Sequence, residues 1–240
     1  MLVTPPSDTQ PSRLGLSRIK MLDGLAPTVL DRLARQCAWR RFEAGQVLIN
    51  RDAEIRDVFL IVSGRVRVNI YTAAGRQVTF RELQEGDTVG EISAVDGGRR
   101  SADVVALSDG LAASLGPADF RLLLQEEPLV ADRFMRYLVQ LVRLLSESVI
   151  ELSTLGVQNR IHAEILRLVQ ADTAGGSTRL IAPAPKHADI AARVSTTREQ
   201  VSRELSALTR SGLLEKHADG MRVIDVKRLA LMVQQATMQA

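Results

Sequence analysis

Residues 86–104 hold the side chains best suited to bind an anion in the first half of the chain. The segment reads Gly-Asp-Thr-Val-Gly-Glu-Ile-Ser-Ala-Val-Asp-Gly-Gly-Arg-Arg-Ser-Ala-Asp-Val. Its glycines allow backbone amides to approach a ligand closely, and the turn before Ser101 can present several N–H donors. An arginine offers a forked donor that suits phosphate, and Glu91 can accept hydrogen bonds from a sugar hydroxyl. These are the needs of a ribose that carries one phosphodiester, although a charged hairpin with a Glu–Arg surface pair accounts for the same residues equally well.

A second group of polar side chains lies in residues 187–206, which read His-Ala-Asp-Ile-Ala-Ala-Arg-Val-Ser-Thr-Thr-Arg-Glu-Gln-Val-Ser-Arg-Glu-Leu-Ser. Two apolar faces flank a three-residue polar turn, which predicts a helix-turn-helix, and Thr197 with Gln200 forms a capping box at the second helix. The candidates for reading base edges in a major groove are Thr197, Arg198, Glu199, Gln200, Ser202 and Arg203. The alternative is a solvated helix face with an i,i+4 pair between Glu199 and Arg203.

Changes in apolar periodicity divide the chain into four predicted segments. Residues 1–15 contain three prolines and no periodic pattern, which predicts a disordered tail. Residues 16–127 pass from a short helical pattern to alternating runs separated by glycines, which predicts an antiparallel sandwich or barrel. Residues 128–156 read as one long helix. Residues 157–240 hold the helix-turn-helix, followed by a hairpin around Asp219-Gly220 that makes the module winged.

The helix predicted for residues 128–156 carries an apolar stripe with heptad spacing. A stripe so narrow favours a homodimer through residues 130–155, with a second face at Val142, Leu144 and Val149 left for packing on the body. The alternative is that the stripe packs on the β-domain of its own chain. Its positions are Phe134, Leu138, Leu141, Leu145, Ser148, Leu152 and Leu155.

Composition excludes several classes of protein. Of the 240 residues, 45% are apolar and 25% are charged, which is typical of a globular chain and excludes a collagenous or disordered protein. The single cysteine, Cys37, cannot form an internal disulfide or a metal cluster, so we expect a cytoplasmic protein without a metal. Residues 157–240 contain 12 Lys or Arg against 8 Asp or Glu, a modest excess that is compatible with a nucleic-acid-binding module.

The sequence Gly-Glu-Ile, followed after a short loop by Arg-Ser-Ala, resembles the phosphate-binding cassette of cyclic-nucleotide-binding domains. The upstream glycines 45, 64, 75 and 86 match the same family. The resemblance implies that residues 16–127 form a β-roll whose site holds a cyclic nucleotide, for which cAMP is the expected ligand and cGMP the alternative. Arg100 and the amides around Ser101 would bind the cyclic phosphate, and Glu91 would bind the ribose 2′-hydroxyl. Gly90 and Ile92 would shape the loop.

Arg99 and one pair of residues in the long helix also bear on how the nucleotide is bound. Arg99 is expected to be solvated, because Ser-Ala follows Arg100. In the bacterial branch of the family a Thr-Ser pair of the dimer helix touches the purine, and the corresponding pair here is Leu145-Ser146. A leucine cannot hydrogen-bond an exocyclic amine, so the resemblance leaves the choice between adenine and guanine open.

The run Arg-Glu-x-Val-x-Arg resembles the recognition helix of the catabolite-activator and Fnr family of transcription regulators. With the nucleotide domain and the long helix in the same order, this resemblance spans residues 20–230. It implies an α+β protein, a β-roll joined by a dimerisation helix to a winged helix-turn-helix, that binds a palindromic TGTGA-like operator and RNA polymerase. Arg198, Glu199 and Arg203 would read bases. Ser195 stands where the turn often has glycine, and a left-handed backbone there costs about 1 kcal/mol.

Three other functions fit the sequence less well. A sister regulator that senses haem or an iron–sulfur cluster would need more ligands than Cys37, and residues 1–156 contain no histidine. A relative that binds no ligand is another possibility, although the complete Glu91, Arg100 and Ser101 set is unfavourable to it. An enzyme that hydrolyses cyclic nucleotide is disfavoured, because no Ser/His/Asp order, HExxH motif or Walker loop is present.

Overall fold

The computed structural model describes residues 12–72, 77–170 and 178–238, with the side chain of Gln170 excepted. The described residues form two compact units. The first contains the described residues up to Ile70 and Thr79–Gln140, and the second contains those from Leu141 onwards together with the described residues of Tyr71–Val78.

Two antiparallel sheets form the body of the first unit. Their strands are β1 (Ala38–Phe42), β2 (Val47–Ile49), β3 (Val58–Ser63), β4 (Arg65–Tyr71), β5 (Gln77–Gln84), β6 (Thr88–Val89), β7 (Asp103–Ala106) and β8 (Gly110–Leu115). One sheet has the order β1-β8-β3-β6 and the other β2-β7-β4-β5. This is the predicted β-roll.

The two central strands show how sequence pattern follows burial. Strand β3, Val58–Ser63, is buried at every position but the last, because its two faces contribute to two different cores. Phe59 and Ile61 pack between the sheets, whereas Leu60 packs against helices on the outer face. Strand β4, Arg65–Tyr71, alternates between buried and more exposed residues over its first half, as expected when only one face is covered.

Helices cover the outer face of the first sheet. They are α1 (Arg13–Leu16), a 3₁₀ turn (Lys20–Leu22), α2 (Pro27–Gln36), α3 (Glu91–Asp96), α4 (Pro117–Glu126) and α5 (Pro128–Thr154). The prediction that residues 1–15 form a disordered tail is wrong for its last residues, because helix α1 begins at Arg13. Ser12 caps helix α1 by accepting a hydrogen bond from the backbone N–H of Gly15, and Leu16 is fully buried. Residues 1–11 lie outside the described chain.

Helix α5 confirms the predicted long helix but corrects the role of its apolar stripe. Phe134 is 6% exposed and packs in the core of the first unit, with Leu138 partly buried against that core. The alternative, packing on the chain's own β-domain, therefore holds for these two residues. Leu145 and Leu152 are half-exposed, and Leu155 is buried.

The exposed apolar stripe of α5 is displaced by one residue from the predicted one. Met135, Val139, Val142 and Val149 are 54–62% exposed, with Ser146 at the intervening heptad position. The prediction that Val142, Leu144 and Val149 pack on the body is wrong, because Leu144 too is 43% exposed. A helix with apolar residues on adjacent stripes gives no local signal of which stripe is covered.

The second unit is a winged helix-turn-helix. Its elements are α6 (Val157–Gln170), β9 (Arg179–Ile181), α7 (His187–Arg193), α8 (Arg198–Arg210), β10 (Leu214–His217), β11 (Gly220–Val223) and α9 (Val226–Met238). The predicted hairpin, β10 with β11, gains β9 as a third antiparallel strand. Helix α9 was not predicted, and its buried Leu229 joins the core of this unit. The predicted loop at residues 171–178 lies outside the described residues except at Thr178.

Cys37 is a core residue, as expected. It is 7% exposed, and burial, together with the charge of Asp119, raises its pKa to about 12. The Trp39 indole Nε1 donates to the Ala34 carbonyl oxygen at 3.0 Å. Within the described ranges, no helix has the length and apolar character required to cross a membrane. The same residues bring together no group of three or more potential metal ligands.

Candidate nucleotide and nucleic-acid sites

The loop between β6 and α3 depends on a glycine in a left-handed conformation. Gly90 has φ 90° and ψ 4° and caps α3, whose first residue is Glu91. A Cβ atom at Gly90 would lie 2.5 Å from Arg100 Nη1 and 2.9 Å from the carbonyl oxygen of Asp57. Glycine is therefore required here both for the backbone dihedral and for the close approach of the arginine.

Arg100 is buried beneath this loop with its charge unpaired. It is 5% exposed, and its guanidinium donates to the carbonyl oxygens of Ile55, Asp57 and Gly90 at 2.8–2.9 Å and to Ser93 Oγ at 2.8 Å. No carboxylate among the described residues lies within ion-pair distance of it. Burial lowers the pKa of Arg100, partly offset by the charges of Asp57 and Glu91. A guanidinium remains protonated even so, which makes this position favourable for an anion.

Glu91 is the buried carboxylate of the site, 1% exposed. Its Oε1 accepts a short hydrogen bond from the Tyr137 hydroxyl and lies 3.4 Å from Arg81 Nη2. Its Oε2 is buried and has no hydrogen-bond partner in the described part of the chain. Arg81 and Tyr137 were missed by the sequence reasoning, because nothing local to β5 or α5 links them to Glu91.

The predicted cassette residues meet at one cleft. Gly90, Glu91, Ile92, Arg100 and Ser101 all line it, and Arg81 lines it as well. Apolar walls come from Ile49, Val68 and Val104. The cavity volume of the cleft is ≈ 40 Å³, which is well below the ~300–1,000 Å³ typical of small-molecule sites, so a nucleotide enters it only if the surrounding side chains move.

The other residues named by the prediction are Arg99, which was expected to be solvated, and the purine contacts Leu145 and Ser146. Arg99 is exposed, as expected, and lines a neighbouring surface cleft with Arg51 and Arg56. Leu145 and Ser146 are exposed on α5 and belong to the second unit. Their contact with a purine base stays a prediction.

The helix-turn-helix has the predicted geometry, with one departure in its cap. Ser195 lies in the turn between α7 and α8 with φ 53°, so the turn tolerates the left-handed serine. Thr197 caps α8 and its side chain accepts from the Gln200 backbone N–H. The Gln200 side chain does not complete the capping box, because its Oε1 accepts a short hydrogen bond from the Thr196 hydroxyl.

The first turn of α8 presents charged side chains that are available to a ligand. Arg198, Glu199 and Arg203 are exposed. The alternative i,i+4 pair is not formed, because no ion pair within 4.0 Å joins Glu199 to Arg203 in the described second unit. The pKa of Glu199 is lowered by hydrogen bonds from its own backbone N–H and from Thr197, and then by the nearby arginines.

Buried polar contacts hold α8 against its neighbours. His162 Nε2 of α6 lies 2.7 Å from Glu204 Oε1, and both side chains are at least 90% buried. His187 Nδ1 at the start of α7 lies 2.7 Å from the Ser202 hydroxyl, so this predicted base reader also contacts the protein. Sequence reasoning did not identify either histidine contact, since each joins residues from different helices.

The cleft generates a prediction about Gly90. Replacing Gly90 with alanine should lower the free energy of unfolding by more than ~2 kcal/mol, because the new Cβ strains the left-handed backbone and displaces Arg100. Urea unfolding monitored by circular dichroism measures this loss.

Gly97→Ala is the matched control. Gly97 also has a positive φ, 69°, but a Cβ there would meet no atom within 4 Å, so it should cost only ~1 kcal/mol. Equal losses for the two variants would contradict the close approach at Gly90.

Comparison with known proteins agrees with this arrangement. The family described as cyclic nucleotide-binding domain matches residues 39–127, and the Crp-like helix-turn-helix domain matches residues 159–232. The cyclic AMP receptor protein of Thermus thermophilus is 30% identical over 215 residues, covering 88% of this chain and 94% of that protein. A CRP-like cAMP-activated global transcriptional regulator of Mycobacterium tuberculosis is 23% identical over 217 residues, 90% of this chain and 96% of that protein.

Solved structures share the fold at lower identity. A CooA mutant from Carboxydothermus hydrogenoformans has a TM-score of 0.71 at 19% identity, with 95% of this chain and 97% of that chain covered. The c-di-GMP responsive global regulator CLP of Xanthomonas campestris has a TM-score of 0.70 at 17% identity, with 82% and 98% covered. Because a cyclic-nucleotide-binding domain precedes a Crp-like helix-turn-helix domain, and a relative matches at 30% identity along most of the chain, this protein belongs to the CRP/FNR family of transcription regulators.

Proposed function

We propose that this regulator binds cAMP in the cleft between Glu91 and Arg100 and responds by binding a palindromic, TGTGA-like operator as a homodimer. The observation that carries the proposal is the pair of buried polar groups in one cleft. Among the residues that the structure describes, Arg100 has no carboxylate partner and one oxygen of Glu91 has no donor. A cyclic phosphate supplies the anion, and a ribose hydroxyl supplies the donor.

The identity of the nucleotide is supported by similarity and left to a direct titration. The Thermus thermophilus relative is named a cyclic AMP receptor protein, which favours cAMP. Leu145 in place of a threonine removes one hydrogen bond that would select adenine, so cGMP is the alternative ligand. Separate calorimetric titrations with cAMP and cGMP distinguish them, and c-di-GMP is a useful third ligand because a structural neighbour responds to it.

The homodimer rests on the exposed stripe of α5. In the proposed assembly, residues 128–156 act as the dimerisation helix, with Met135, Val139, Val142 and Val149 meeting their copies. Two recognition helices would then reach successive major grooves ~34 Å apart. The nucleotide acts on DNA binding through its higher affinity for the DNA-competent arrangement. In this proposal RNA polymerase is a further partner. The protein acts in the cytoplasm and as a regulator rather than an enzyme.

Arg100→Ala should strongly weaken nucleotide binding. The guanidinium provides the charge that pairs with phosphate, and losing a charge-assisted contact of ~2–3 kcal/mol weakens binding by roughly 30- to 150-fold. Isothermal titration calorimetry measures the affinity, and sedimentation measures whether the dimer is retained.

Arg99→Ala is the matched control, because Arg99 is the exposed neighbour that lines a different cleft. Arg100→Lys, which keeps the charge without the fork, should bind with intermediate affinity and confirms that any loss does not reflect misfolding. Unchanged affinity in Arg100→Ala would contradict the site.

Val142→Glu should shift the protein from dimer to monomer. It places a charge at the centre of the exposed stripe, where two copies would meet and repel. Gln140→Glu adds the same charge at an exposed position outside the stripe and should leave the dimer intact. Analytical ultracentrifugation reads out both, and a dimer that survives Val142→Glu means that another surface joins the copies.

Arg203→Ala should cost ~1–3 kcal/mol on the specific operator and relax selectivity at one base pair. Arg210→Ala is the control, because Arg210 is also exposed on α8 but lies at its C-terminal end. Fluorescence anisotropy with the operator and with single-base variants measures the effect. An equal loss on every sequence would reduce Arg203 to a phosphate contact.

A further inference from the structure

Three side chains from separate elements meet at the buried carboxylate of the cleft. Tyr137 of α5 donates a short hydrogen bond to Glu91 Oε1, and Arg81 of β5 donates a short hydrogen bond to the Tyr137 hydroxyl. The Arg81 guanidinium also lies over the Tyr137 ring, 5.3 Å from its centroid. Arg81 and Tyr137, which we name the Oε1 clamp, therefore act on one oxygen of Glu91.

The other oxygen of Glu91 is left without a donor. Oε2 has less than 1 Å² of accessible surface and no partner among the residues that the structure describes. A buried carboxylate oxygen in that state costs ~1–3 kcal/mol, so such atoms are rare unless a ligand or water completes them. Glu91 lines the cleft, so a ligand bound there can supply the missing donor once Oε2 becomes accessible.

Aromatic packing fixes the Tyr137 side of the clamp. The Tyr137 ring stacks on Phe134 with centroids 6.4 Å apart, and Phe134 meets Phe120 edge-on at 5.7 Å. Both phenylalanines are buried in the core of the first unit. Burial, with the charge of Glu91, raises the pKa of Tyr137, so its hydroxyl stays protonated and donates. The hydroxyl is thus held in place by packing that does not depend on the ligand.

We propose that Tyr137, supported by Arg81, is the positioning residue of the nucleotide site: it holds Glu91 through Oε1 so that Oε2 faces the ribose 2′-hydroxyl. This inference rests on the proposed function, in which Glu91 already gives a preference for a ribonucleotide over its 2′-deoxy counterpart. It adds that this preference depends on a tyrosine that does not itself touch the ligand.

Tyr137→Phe tests this with two ligands, cAMP and 2′-deoxy-cAMP. The wild-type protein should bind cAMP roughly 10-fold or more tightly than the deoxy form, because one hydrogen bond to a charged group is lost. In Tyr137→Phe that ratio should fall at least about 3-fold, with cAMP binding weakened and 2′-deoxy-cAMP binding unchanged. Isothermal titration calorimetry gives both affinities.

Tyr71→Phe is the matched control, since Tyr71 is the other tyrosine of the chain and is 51% exposed. It should keep the wild-type ratio. Glu91→Gln sets the baseline, with the ratio near one. If Tyr137→Phe does not fold, Arg81→Gln gives the same reading from the other member of the clamp, and Arg81→Lys should retain more of the ratio.

The outcomes separate the inference from the function on which it rests. A wild-type protein that binds neither nucleotide overturns the proposed function. Wild-type preference for cAMP that survives intact in Tyr137→Phe overturns the positioning role. If Tyr137→Phe weakens the binding of cAMP and 2′-deoxy-cAMP equally, Tyr137 has only a structural role. If Tyr137→Phe binds cAMP more tightly than the wild type, the Tyr137 hydroxyl competes with the ribose for Glu91. Either result also overturns the inference.

Discussion

The Arg100 guanidinium connects parts of the first unit that are distant in sequence. It donates to carbonyl oxygens of Ile55 and Asp57, before β3, and to Gly90 and Ser93 around the start of α3. Gly90 must be left-handed and lack a Cβ for this approach to occur. Because these partners are neutral, the buried charge is solvated but not cancelled, which leaves it available for an anion. The close approach of Arg100 to Gly90 thus determines both the shape of the loop and its positive charge.

The two carboxylate oxygens of Glu91 differ in their hydrogen bonding. Oε1 is held by Tyr137 and Arg81, and Oε2 is unpartnered. One side chain therefore joins the cleft to α5, the helix that also carries the exposed apolar stripe. In the second unit, α8 divides in a similar way: Glu204 is buried against His162, whereas Arg198 and Arg203 are exposed. In both units, buried polar contacts fix the element, and the side chains predicted to meet a ligand lie beside those contacts.

The cassette and the helix-turn-helix were predictable because their signals are local. A left-handed glycine before Glu91, a Thr197 cap and a tight turn each depend on a few consecutive residues. The contacts of Tyr137 were not predictable, because its hydrogen bond to Glu91 joins residues 46 apart and its bond to Arg81 joins residues 56 apart. Neither the spacing nor the residue types at those positions indicate that the three side chains meet.

The sequence by itself determined the α+β fold class, the order of the nucleotide domain, the long helix and the winged helix-turn-helix, the cassette at residues 90–101 and the recognition helix that begins at Arg198. Short-range sterics, capping and apolar periodicity are properties of neighbouring residues, so they can be read along the chain. Only the tertiary structure decided which stripe of α5 is covered, and, within the described part of the chain, that Arg100 lacks a carboxylate partner and that Oε2 of Glu91 lacks a donor. These depend on which surfaces the folded chain brings together, and periodicity along one helix or strand carries no information about its neighbours in space.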